Sequence, residues 1–420
     1  MRLLVPTNWN SKLLEALENY PVDGIYGALD RTVIGGGRPT YALPAVTKKE
    51  AEEHVEQAHS MGIKFDYIMN APCLNLMEFD KETHREIIGH LEWINNIGVD
   101  CVTVTIPYLI ELIKEQFPAL KVKVSVHTHI NSVQRAKFFE MLGADKFTPD
   151  YSLNRDFNLL EKIKKATKCD MSLILNDACL YQCPFRYYHS NCEGHASQTI
   201  NPMDYYINYS LIRCTLIRFS NPTEMIKCPW IRPEDLHLYE DIGIDYFKIS
   251  GRSKSTPWIL RAVEAYSSRK YNGNLFDILN CMESEVVRDN KQHLFEFLRG
   301  FVPRLPRHPL KLMLLVASKM PFKSYKNFIE MTSNMPSKTC KSLLTVYFNA
   351  TKAWIDNSNL DGFINFFKNH NCAQLCGECD YCEKWAEKVV RVDEEAANRY
   401  TSALGELLDD LRTSNFLKII

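Results

Sequence analysis

KVKVSVHTHINSVQRAKFFEMLGADKF, residues 121–147, changes its period twice. From Lys121 to His127 apolar and polar residues alternate, the pattern of a strand. From Asn131 the apolar positions recur at a spacing near 3.6, the pattern of a helix, and Gly143 stands just past its last turn. Asp145 then opens a second β-rich run. A strand, a helix closed by glycine and a further strand make one βαβ unit, whose strands must run parallel.

The same unit repeats on both sides. Upstream lie RLLVPT from Arg2, DGIYGAL from Asp23, KFDYIMNA from Lys64 and CVTVTI from Cys101; downstream of DKFTPD at Asp145 lie DMSLILND from Asp170 and DYFKISGR from Asp245. Helical patterns separate them, among them KKEAEEHVEQAHSMG from Lys48, KETHREIIGHLEWINNIG from Lys81 and NRDFNLLEKIKKAT from Asn154. Eight strands alternating with helices predict an α/β fold, a (β/α)8 TIM-like barrel. A doubly wound open sheet competes, but PTNWNS stands after the first strand in place of the glycine-rich phosphate turn that fold uses. Gly35, Gly36 and Gly37 lie in a longer loop after the second strand, where flexibility explains them as well as anion binding does.

Composition sets limits. The chain has 420 residues, 45% hydrophobic and 24% charged, with a net charge of -1; that is enough for one large domain and a smaller one, without a dominant phosphate-binding field. Met1–Val5 runs straight into a strand, and no stretch of about 18 uncharged apolar residues appears, so the expectation is a cytoplasmic protein without a signal peptide or membrane span. Fourteen cysteines in a reducing compartment are thiols or metal ligands rather than disulfides. The scattered Cys73, Cys101, Cys169, Cys214, Cys281 and Cys340 read as small buried apolar residues.

Barrel enzymes carry their chemistry at the carboxyl ends of the strands. The polar residues predicted there are Asn8, Asp30, Arg38, Asn70, His127, His129, Asp150, Tyr151, Asn176, Asp177, Ser250 and Arg252. His127, His129, Tyr151 and Asp177 are the catalytic candidates, the imidazoles because they titrate near neutrality.

Two cysteine sets stand out. Cys179, Cys183 and Cys192 leave the seventh strand with spacers of three and eight residues, and Cys228 follows after 35 more. Four thiolates suit structural zinc or a 4Fe-4S cluster; the absence of short paired knuckles and the irregular spacing favour the cluster. The second set, NCAQLCGECDYC, places Cys372, Cys376, Cys379 and Cys382 with spacers of three, two and two, which again admits a cluster or zinc. Its first three cysteines match the C-x3-C-x2-C spacing of radical S-adenosylmethionine enzymes. In those the motif follows the first barrel strand, whereas here it follows the whole barrel with a fourth cysteine beside it, so it reads as an auxiliary 4Fe-4S centre.

PEDLHLYEDIGIDYFKISGRSKSTPWILRAVEAY (residues 233–266) resembles the signature of peptidase family U32, in which Lys-Ile-x-Gly-Arg precedes Lys-Ser. KVKVSVHTHINSVQRAKFFEMLGADKF and MNAPCLN from Met69 are similar to that family's fifth-strand and third-strand segments. The resemblance spans about the first 270 residues. It implies an oxygen-independent hydroxylase of tRNA, ribosomal RNA or a ubiquinone precursor, with prephenate as oxygen donor. Cys179, Cys183, Cys192 and Cys228 are the implied ligands of a 4Fe-4S cluster, and Arg38, Asn70 and Arg252 the implied substrate-binding residues; bidentate arginine suits a carboxylate. Three positions depart from the family pattern, in two places. Asn176 and Asp177 replace His-Gly before the first cysteine, and Ser250 replaces the glutamate of Lys-Ile-Glu-Gly-Arg.

The expected organisation is a barrel over residues 1–270 with a cysteine-rich insertion at 179–235, then a helical region over 271–420. The latter is read as a helix from Asp277, a proline-rich joint FVPRLPRHPLK, helices around Phe328 and Trp354, and one long last helix, EKWAEKVVRVDEEAANRYTSALGELLDDLR. Three functions remain. The first is an oxygen-sensitive iron-sulfur hydroxylase or oxidoreductase acting on a small carboxylate or an RNA nucleoside. The second is a peptidase, although no HExxH and no G-x-S-x-G is present. The third is a non-catalytic electron-transfer or scaffold subunit working with an electron donor or a paralogous partner protein.

Overall fold

The computed structural model describes residues 1–201, 208–281 and 353–413. Eight parallel strands close into a barrel in sequence order: β1 (Arg2–Pro6), β2 (Val22–Gly27), β3 (Lys64–Met69), β4 (Cys101–Val104), β5 (Lys121–Val124), β6 (Lys146–Phe147), β7 (Asp170–Ile174) and β8 (Tyr246–Lys248). Each of the eight sequence runs is a strand. Closure is made by β1 beside β8, Arg2 opposite Tyr246; the Arg2 guanidinium bridges Asp170 at 3.2 Å and Asp245 at 2.9 Å, fastening three strands at their amino ends.

The outer ring is α1 (Ser11–Leu17), α2 (Lys48–Ser60), α3 (Lys81–Asn96), α4 (Pro107–Gln116), α5 (Val133–Met141), α6 (Phe157–Ala166), the insertion helices α7 (Arg186–His195), α8 (Tyr209–Ser220), α9 (Thr223–Lys227) and α10 (Leu236–Glu240), and α11 (Thr256–Ser268). Their starts are chemically marked. Thr47 and Glu50 form a reciprocal capping box on α2, and Asp80 accepts from two backbone amides at the head of α3. None of the described helices is long and apolar enough to cross a membrane.

Because helices cover the barrel outside and side chains fill it inside, both faces of each strand are buried: all four residues of β4 are. Alternation along the strands therefore sorts inside from outside, not dry from wet. On β3 the inward series is Asp66, Ile68, Asn70; on β5 it is Lys123, Ser125, His127; on β8 it is Tyr246, Lys248, Ser250. Contacts across the interior follow these layers. Lys123 forms an ion pair with Asp66 and lies 5.1 Å from the centre of the Tyr246 ring. One layer up, Lys248 Nζ rests 3.8 Å from the centre of the Tyr26 ring. At the top, Asn70 Nδ2 donates to Ser125 Oγ at 3.1 Å.

The C-terminal segment departs from expectation. Trp354 sits in a strand, β9 (Ala353–Ile355), rather than a helix, and the long last helix is broken into α13 (Tyr381–Val389), β10 (Val390–Val392) and α14 (Glu394–Arg412), with the short α12 (Asn365–Lys368) before them. The reason is local: Val389, Val390 and Val392 are β-branched, β10 pairs antiparallel with β9, and Asp393 then caps α14 by accepting from the Ala396 amide. Residues 282–352, with the proline-rich joint, the helix around Phe328, Leu312–Val316 and Cys340, lie outside the described residues, as does most of the helix expected from Asp277; Leu275–Asp277 itself is a 3-10 turn. The C-terminal elements lean on the barrel insertion. Phe219 of α8 meets Tyr400 of α14 ring to ring at 5.2 Å, and Arg232, 3% exposed, donates to the Asn357 side chain and to Asp361.

Candidate functional site

At the carboxyl ends of the strands opens a cavity of ≈ 370 Å³. Six of the seven non-cysteine candidates line it: Arg38, Asn70, His127, Tyr151, Asp177 and Arg252. His129 does not. It turns through a left-handed backbone (φ 51°), puts Nδ1 2.9 Å from Asp150 Oδ2 and lays its ring 4.2 Å from that of Tyr187. Asn8, tied to Thr256 and to the Lys254 carbonyl, is not among the lining residues either.

The cavity is cationic on one side. Arg252 donates through Nη2 to the Gly36 carbonyl at 2.6 Å, while its buried Nη1 has no partner among the described residues. Burial, then the neighbouring Arg38 cation, draw Arg252 down to about 10. Arg38 is ion-paired with Glu193 on α7. Burial alone would raise the Glu193 carboxyl, but Arg38 and His189 outweigh it and hold it at about 2. His127 places Nδ1 3.2 Å from the Asn70 carbonyl, which can only accept, so Nδ1 carries the proton and Nε2 the lone pair. Burial lowers this imidazole to about 4 despite the Glu193 charge. The buried Asn70 Oδ1 is also unpartnered.

Gly37 makes this corner possible. Its φ is +60°, and a Cβ there would stand 2.6 Å from Asn70 Oδ1 and 3.3 Å from His127 Cε1. Gly37→Ala is expected to cost on the order of 1–3 kcal/mol of stability. Gly62→Ala is the control, because its φ is +72° with nothing within 4 Å of the added carbon. Thermal unfolding of the two variants checks this; equal losses would mean that only the backbone angle matters.

The two departures from the family pattern belong together. Asn176 donates to the Ser250 carbonyl at 3.0 Å and accepts from the Ser250 amide at 2.7 Å, while Ser250 Oγ donates to Asp177, which also accepts from Asn280 at 3.0 Å. The three residues at the ends of adjacent strands β7 and β8 thus form one hydrogen-bonded set.

Cys179 and Cys183 line the cavity, and so does Cys214 of α8, which spacing alone assigns to packing. Cys192 is not among the lining residues; it sits on α7 beside Tyr188. Burial raises the Cys228 thiol, and the thiols of Cys179 and Cys214 add to that rise. Cys179 is pushed up to about 12 by burial, with Asp177 adding to it, and lies 3.7 Å from the Tyr151 hydroxyl. Arg218, 2% exposed, lies among these thiols and donates to the Ala178 carbonyl at 2.9 Å and to Cys214 Sγ at 3.5 Å. Arg186, 4.0 Å above the Tyr151 ring, pairs with Asp150.

The second set is close by. Cys372, Cys376 and Cys382 line a cleft of ≈ 260 Å³ together with Arg155 and Lys227. Cys379 is exposed and is bridged to Cys376 through the backbone. Arg155 joins the two sets: it donates to the Ile226 carbonyl at 2.7 Å and to the Cys228 carbonyl, stacks on Trp230, Phe363 and Phe367, and feels the thiols of Cys382, Cys228 and Cys372. Among the described residues no three cysteine, histidine or carboxylate side chains converge as ligands of a single ion. Cys214, Lys248, Glu193 and Arg218 are the site residues that sequence reading misses.

A closed parallel barrel with a polar cavity at the carboxyl ends of its strands is an enzyme scaffold. The model of peptidase family U32 matches residues 10–273, and the chain belongs to that family. It is 30% identical over 365 residues to an uncharacterized protease of Methanocaldococcus jannaschii, covering 86% of each chain, and 23% identical to a second one over 69% of this chain and 70% of the other. A solved U32 peptidase is 22% identical, covers 60% of this chain and 92% of its own, and superposes with a TM-score of 0.46.

Proposed function

We propose that this U32 chain is an iron-sulfur oxidoreductase of the oxygen-independent hydroxylase type, acting on a small carboxylate-bearing substrate; an RNA nucleoside is the other substrate class its family resemblance implies. The observation that carries this reading is one cavity shared by Cys179, Cys183, Cys214 and the unpaired Nη1 of Arg252, with the buried Cys228 thiol within electrostatic reach of Cys179 and Cys214. Four thiols with a buried Arg218 among them fit a 4Fe-4S cluster, because thiolate ligation adds negative charge that the guanidinium offsets. By the same chemistry Cys372, Cys376, Cys379 and Cys382 hold a second cluster beside Arg155. Bound there, such clusters supply one-electron transfer at a potential tuned by nearby charge and hydrogen bonds.

The chain's own residues do the rest. Arg252 offers its unpartnered Nη1 to a carboxylate, with Arg38 adding charge. His127, neutral down to about pH 4, presents Nε2 as a proton acceptor. Tyr151 sits between Cys179 and Arg186 and can hand on a hydroxyl proton. The peptidase reading rests on the relatives' names, since among the described residues neither His127 nor His189 hydrogen-bonds a serine or cysteine side chain in the cavity.

The test is iron, sulfide and zinc analysis of anaerobically purified protein. About eight irons are expected, falling to about four in Cys179→Ala, Cys214→Ala or Cys376→Ala and unchanged in Cys192→Ala. Zinc or no metal at the inner set overturns the redox reading, and peptide cleavage by iron-free protein would establish the peptidase.

A further inference from the structure

Lys248 is the first residue of Lys-Ile-Ser-Gly-Arg, four positions before Arg252, and both side chains line the same cavity. Its Nζ has no hydrogen-bond or carboxylate partner among the described residues and rests 3.8 Å from the centre of the Tyr26 ring, a face with no acceptor lone pair to offer. Tyr26 is itself fixed, its hydroxyl donating to the Ile249 carbonyl at 2.9 Å. Burial lowers the Lys248 amine well below its ordinary value, and the cations of Lys123 and Arg252 lower it further against the pull of Asp66 and Asp177. An amine in that position is a nucleophile rather than a counter-ion.

We propose that Lys248 condenses with the carbonyl of a 2-oxo acid whose carboxylate is held by Arg252. The amine nitrogen attacks the carbonyl carbon, a C–N bond forms as the C=O bond opens to a hydroxyl, and that hydroxyl leaves as water while nitrogen loses its protons, so that the product is an imine and no oxidant or reductant is consumed. Protonated, the imine draws electrons from the carbon next to it, which suits proton removal or decarboxylation there. The inference rests on the carboxylate site of the proposed function but not on its cluster.

The test is borohydride trapping on the full-length protein, both as purified anaerobically and after iron removal, with pyruvate as the probe and acetone as the carbonyl lacking a carboxylate. Peptide mass spectrometry should find the reduced pyruvyl adduct on Lys248 in both preparations, with acetone labelling at least tenfold slower. Lys248→Met should abolish it, and Arg252→Gln, which keeps the amine, should raise the half-saturating pyruvate concentration about tenfold or more. Trapping should rise less steeply from pH 7 to 9 than labelling of an ordinary lysine, which gains about tenfold in free amine per unit. Adduct spread over surface lysines, equal labelling by acetone, or labelling unchanged in Lys248→Met overturns the proposal. Trapping that survives iron removal leaves the cluster question to the metal analysis, so the two readings fail separately.

Discussion

Asp66→Asn is expected to lower the melting temperature on the order of 10 °C, the largest loss from any single polar substitution inside the barrel. Asp66 is 3% exposed and Lys123 0%, and the Asp66 carboxylate is the ion-pair partner of the Lys123 ammonium. The rest of that layer offers no replacement: Lys146 approaches the same Tyr246 ring at 4.8 Å, so its charge repels, and the ring itself is fully enclosed. Removing one member of a buried pair leaves an uncompensated charge in a poorly solvated place, which costs about 3–5 kcal/mol, whereas removing both members with apolar replacements is often close to neutral. The double variant Asp66→Asn/Lys123→Met should therefore recover most of the loss. Thermal unfolding of the single and double variants decides it; a double variant no better than the single would mean that packing, not charge, sets the cost. The change should also reach the cavity, since Asp66 is one of the two carboxylates that favour protonation of Lys248.

That interior layer explains what the sequence hides. The strands were legible because KVKVSVH and its counterparts alternate, and the helices because apolar spacing and caps such as Thr47 with Glu50 agree with each other. In a parallel barrel, however, alternation does not separate core from solvent. Lys121 is exposed and Lys123 fully buried on the same strand and the same face, because the first lies at the barrel mouth and the second within it. Lys248 is obscured for the same reason. Position in the strand, not residue type, decides which lysine meets water.

The cavity residues Arg38, Asn70, His127, Tyr151, Asp177 and Arg252 could be found because each follows a strand, whereas Cys214 could not, since it lies on an amphipathic helix whose approach to the cavity depends on the path of the whole insertion. His129 shows the reverse limit. Two residues beyond His127 it ought to share its face, but the left-handed turn at its own backbone redirects it to Asp150. The exchange of Asn176, Asp177 and Ser250 looked like two unrelated departures until the pairing of β7 with β8 made them neighbours.

Acidification from pH 6.5 to 4.5 should destabilise the fold by several kcal/mol, before most carboxylates titrate. Three histidines are held neutral by burial: His54 at about 4, with its Nε2 2.8 Å from Thr7 Oγ1; His90 at about 3, between Tyr67 and Trp93 with its Nε2 unpartnered; and His127 at about 4. Their ordinary value is 6.5. A depressed basic group binds its proton more readily in the unfolded chain, so between the two values unfolding takes up protons and stability falls as pH falls. Each histidine contributes up to about 3 kcal/mol, from roughly 2.5 units at 1.36 kcal/mol each. Asp235 acts in the opposite sense: burial raises it to about 6 despite Arg232, so its protonation as pH falls from 6 favours the folded chain. One such carboxyl offsets part of three imidazoles. Glu193, held at about 2, joins the loss only below its unfolded value of 4.5. His90→Phe isolates the mechanism, because phenylalanine keeps the aromatic contacts with Tyr67 and Trp93 and cannot take a proton. Its melting temperature should fall less steeply with pH in this window, by the equivalent of about one proton. Parallel profiles for the two proteins would mean that His90 is not excluded from water, and a wild-type profile flat from pH 6.5 to 4.5 would say the same of all three rings.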